Sequence, residues 1–147
     1  MHPYNAELYY EDIIAKQGRV FLYIRDELPG IDEKWFINNY MNSDMRRLLD
    51  HANPKYAAMS SPELIYWFIN FEQGGRYKEY LHGDEWGGFL PQWVGHMYAH
   101  YQWQFNIPSN KLINILPLSE MERLFPILHQ TGWHVAAQKI HDDVLSQ

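Results

Sequence analysis

The sequence predicts an all-α fold: one domain spanning residues 1–147, a bundle or orthogonal array of about six to eight helices around an aromatic-rich core. Three observations carry that prediction. Apolar residues recur at helical spacing in one segment after another, start and stop signals fall at the ends of those segments, and alternating period-two strands are missing. Leu22-Tyr23-Ile24 reads as extended only when taken alone, because both of its flanks are helical.

The first helix is expected from about Ala6 to Leu28, with Tyr10, Ile13, Ile14, Gln17, Phe21 and Ile24 on one face and Gly18 as a weak point inside it. Glu7, Glu11 and Asp12 favour its N-terminal end, and Pro29-Gly30 stops it. A second helix follows from Asp32 to Met41. Ser43 then caps a short third one, Asp44 to Asp50, which fades at Asn53-Pro54. Ser60 and Glu63 have capping-box spacing, with Pro62 in the first turn. The helix they open runs to about Glu72 and is apolar almost all round, which predicts a central position. Gly74-Gly75 ends it, and Arg76 to Gly88 reads as the longest irregular loop.

Pro91 starts the clearest helix, to about Phe105, with Leu90, Trp93, Val94, Met97, Tyr98, Tyr101 and Phe105 on its apolar face. After Ile107-Pro108-Ser109, a short helix through Leu112, Ile113 and Ile115 ends before Pro117. Ser119 and Glu122 repeat the capping-box spacing ahead of Met121, Leu124 and Leu128, with a kink or restart expected at Pro126. Thr131-Gly132 breaks the chain, and Trp133, Ala137, Ile140 and Val144 mark a last helix.

Composition narrows the function classes. Apolar residues make up 46%, aromatic residues 16% and charged residues 20% of the chain, a globular balance with enough rings to dominate the packing. The net charge of −6, with Arg46-Arg47 and Arg76 with Lys78 as the nearest basic features, argues against nucleic acid and anionic membranes as partners. The chain has no cysteine, which removes disulfides, thiolate zinc sites and thiol nucleophiles. No apolar run approaches a bilayer span, and Met1 to Asn5 do not begin a secretory signal, so a cytoplasmic protein is expected. No serine sits in a nucleophile elbow. Asp142-Asp143 and Glu120/Glu122 read as solvated helix ends, so no catalytic set is assembled.

Two features carry possible chemistry. His96 and His100 have the i, i+4 spacing that lets two imidazoles bridge a divalent metal, with a third ligand from His129, His134 or Asp84-Glu85. Met97 stands where the helical metalloprotease motif places its glutamate, so the general base of that motif is missing. The alternative is that both histidines are boundary residues whose rings pack. Gly83-Asp84-Glu85-Trp86-Gly87-Gly88 forms a ligand loop with Trp86 as a lid or stacking platform, or a simple bend with Trp86 tucked into the core. Trp103, beside the histidines on the same helix, is a second candidate for an aromatic binding surface. Apart from that metal no cofactor is expected, and the expected partner is a protein or a second copy of the chain.

Three stretches form a recognisable set: Ser60-Ser61-Pro62-Glu63-Leu64; Gly87-Gly88-Phe89-Leu90-Pro91-Gln92-Trp93-Val94-Gly95 running into Tyr98 and Tyr101; and Ile115-Leu116-Pro117-Leu118-Ser119-Glu120-Met121 leading to Leu128-His129. In these the chain resembles small bacterial helical proteins of about this length found in toxin–antitoxin-like gene neighbourhoods. The resemblance runs over most of the chain from Tyr40 onward. Its motifs are aromatic and glycine positions, so it implies partner binding, antitoxin-like or self-associating, rather than an activity.

Overall fold

A computed structural model describes residues 10–28, 32–72 and 90–145. Among these residues there are nine α-helices and no strand. A π-helical turn, Tyr10–Ala15, leads into α1 (Lys16–Glu27), and α2 (Glu33–Met41), α3 (Asp44–Asp50), α4 (Pro54–Ala57) and α5 (Ser61–Trp67) follow. A second π-helical segment, Phe68–Glu72, continues α5. After residues 73–89 come α6 (Leu90–Phe105), α7 (Ser109–Ile115), α8 (Leu118–Leu128) and α9 (Trp133–Leu145). None of the described helices is long and apolar enough to cross a membrane.

Side-chain caps explain the starts of α2 to α5. Asp32 accepts from the Lys34 and Trp35 amides, Ser43 from the Arg46 amide, and Ser60 and Glu63 form the reciprocal capping box. Two expectations about helix starts are corrected. Asn53-Pro54 does not end structure: Asn53 caps the one-turn helix Pro54–Ala57, which takes the count past the expected six to eight. Ser119 and Glu122 make no capping box, because α8 already begins at Leu118 with Pro117 at its N-cap. The same helix carries Pro126 inside its last turn without restarting there. At the end of α6, Asn106 takes the left-handed conformation (φ 56°) and the Ile107 amide bonds back to the Gln102 carbonyl, a common helix stop.

The core is aromatic at its centre. Phe36 and Tyr40 of α2 stack with centroids 5.5 Å apart, and Phe21 of α1 and Phe68 meet them edge-on. All four are buried, and such pairs add about 0.5–1.5 kcal/mol each beyond area burial. The helix from Ser61 to Glu72 is less central than its composition predicts, since Tyr66 and Phe71 are 58% and 60% exposed. Its two turns present Leu64, Ile65, Phe68 and Ile69 inward and leave those two rings outside.

The main packing axis is α1 against α6, and glycine sets its closeness. A Cβ on Gly95 would lie 2.5 Å from the Gln17 carbonyl oxygen, and one on Gly18 would lie 2.8 Å from the Gln92 carbonyl oxygen. The Gln17 side-chain amide then donates to the Gly95 carbonyl at 2.7 Å. Gly18, a weak point by helix propensity, is therefore a contact point where backbones touch.

Candidate functional site

The site grows from the edge of the α1–α6 contact, where Gln92 and His96 border Gly18. Because Gly95 faces α1, the turn around it carries Gln92, Trp93 and His96 toward α8 and α9, with His100 one turn further on. In α8, Phe125 and His129 are four residues apart and share a face, their rings stacked at 4.7 Å. The turn through Thr131-Gly132 then delivers Trp133 as the first residue of α9. Gln92, Trp93, His96, Phe125, His129 and Trp133 together line an open cleft of about 240 Å³.

Ring contacts hold these walls. His96 stacks on Trp133 with centroids 3.7 Å apart and planes 14° from parallel. Trp93 meets Phe125 edge-on at 5.5 Å. Behind the cleft His100 is buried, with its Nε2 3.0 Å from the Gln104 amide oxygen. The His134 ring lies edge-on to His100 at 4.8 Å, and Trp103 packs against both at 5.4 and 5.6 Å. Further along the seam, the Tyr101 hydroxyl bonds His141 Nδ1 at 2.7 Å and Phe105 stacks on the His141 ring. The seam between α6 and α9 is thus faced mainly with histidine and aromatic rings.

Burial sets the charge of this cluster. It pushes the His96 imidazole down to about 4, with the neighbouring His100 adding to the effect. It also lowers His100, opposed by the Gln104 hydrogen bond and helped by His134. His96 is therefore neutral at pH 7 and presents a flat uncharged ring.

A pH dependence follows, with a definite sign. Unfolded, His96 takes up its proton near the ordinary value of 6.5; folded, it does so only near 4. Between those values the unfolded chain holds the extra proton, so stability falls as pH drops from 6.5 toward 4 and is unaffected by this group above 6.5. With allowance for partial solvent screening, the loss is on the order of 2 kcal/mol. Urea unfolding at pH 7 and pH 4 should show this loss in the wild type and a smaller one in His96→Gln. An equal loss in both proteins would remove His96 as its source.

The residues expected from sequence meet different fates. His96, His100 and Trp103 do share one strip, and of the proposed third ligands His134 joins His100 while His129 lies across the cleft beside Phe125. The His96 and His100 rings lie 6.3 Å apart and nearly parallel. Among the described residues no group of three or more histidine or carboxylate side chains is placed to hold a metal ion. Trp86 and the Gly83–Gly88 loop, with Asp84-Glu85, lie outside the described residues. Trp93 and Trp133 were legible only as apolar-face positions and Phe125 was not singled out, although the i, i+4 pair Phe125/His129 just before Gly132-Trp133 was a usable signal.

Arg46 departs most from the sequence reading. It belongs to the basic pair Arg46-Arg47, yet it is 1% exposed and bonded to Gln17, Asp50 and Gln102, so of that pair Arg47 alone contributes positive surface. The serine expectations fare better: Ser43 and Ser60 are caps, and the Ser109 hydroxyl donates to Asp50.

A second apolar depression, about 410 Å³, is lined by Tyr23, Leu28, Pro62, Ile65, Tyr66, Ile69 and Asn70. It is larger, but Asn70 is its one side-chain amide and it lacks the converging rings of the first. The sequence matches no protein-family model and no curated protein, and the fold matches no solved structure.

Proposed function

We propose that the chain is a protein-interaction module of the bacterial cytosol, which holds a protein partner or a second copy of itself through the aromatic cleft between α6, α8 and α9. The observation that supports this is the cleft itself: five rings converge on an opening of about 240 Å³, a size that suits one anchoring side chain. Interface energy concentrates where an aromatic anchor fills such a pocket. Among the described residues the lining is Gln92 and five rings, a set suited to packing against a side chain. The resemblance of its sequence motifs to small bacterial helical proteins from toxin–antitoxin-like gene neighbourhoods is in keeping with this reading.

Light scattering after size exclusion, with co-purification from the native host, tests the reading. We expect either a defined self-assembly or a stoichiometric partner, and its loss in Trp133→Ala. A strict monomer recovered alone would sink it.

A divalent metal held by His96 and His100 is the second reading, and it rests on their i, i+4 spacing alone, since among the described residues no third ligand is placed with them. Elemental analysis of untagged protein separates the two. Stoichiometric zinc, iron, nickel or manganese together with a lower melting temperature on chelation would support the metal.

A further inference from the structure

We draw no further inference here: the strongest candidate, the aromatic cleft between α6, α8 and α9, belongs to the site already described, and nothing in the structure shows what covers it.

Discussion

Asp50→Asn is expected to destabilise the fold by about 3–5 kcal/mol, read as a lowered urea midpoint at unchanged slope. The Arg46 guanidinium is almost wholly buried, and Gln17, Asp50 and Gln102 accept from it. Its Nε donates to Gln17 at 2.6 Å, one terminal nitrogen to Asp50 at 3.0 Å, and the other to the Gln102 amide oxygen at 2.8 Å. Asp50 is equally buried, and it also accepts from the Gln102 side chain and from the Ser109 amide and hydroxyl. Four helices, α1, α3, α6 and α7, thus meet at one ion pair. Removing the carboxylate charge takes a buried counter-charge away from Arg46, which costs far more than losing an exposed pair of the Arg47–Asp44 kind. Replacing both partners by apolar residues, Arg46→Met with Asp50→Leu, should recover most of the loss, because no lone charge then remains. A loss below about 1 kcal/mol in Asp50→Asn would show that Arg46 does not depend on this carboxylate.

Gly95→Ala is the second large effect, a loss of about 2–3 kcal/mol despite the higher helix propensity of alanine. The added methyl would sit 2.5 Å from the Gln17 carbonyl oxygen and 2.8 Å from the Gly18 Cα, both backbone atoms with no rotamer to yield. Relief requires α1 and α6 to move apart, which would also stretch the Gln17–Gly95 hydrogen bond. Gly132→Ala is the control, because nothing lies within 4 Å of its added methyl. Thermal melts of the two variants should differ by several degrees or more. Equal melting temperatures would mean that the α1–α6 approach is looser than described.

Sequence periodicity found the helices with long apolar faces because burial itself imposes the period of 3.6 residues. The helix Pro91 to Phe105 and the capped starts at Ser43 and Ser60 were legible for that reason. Short elements were harder. Pro54–Ala57 has one turn and no period to detect, and Ser119 had cap-like spacing that Pro117 pre-empted. His96, His100 and Trp103 were visible as a strip because they belong to one helix. The other half of the cleft, Phe125, His129 and Trp133, comes from segments about 30 residues later in the chain, and no local pattern joins the two. The closeness of His96 to Trp133 depends on how α9 returns across α6.

By itself the sequence determined an all-helical, aromatic-rich chain, most of its helix boundaries, and a histidine-bearing strip on its longest helix. These properties are local, set by propensity, capping and the repeat of apolar residues within one segment. Only the tertiary structure decided that Gly18 and Gly95 are contact points, that Arg46 is buried with Asp50, and that five rings from three helices enclose one cleft. Arg46 and Asp50 are neighbours on one helix, but their burial and the other meetings bring together residues 29 to 78 positions apart, and the free energy of such meetings belongs to the pair rather than to either residue.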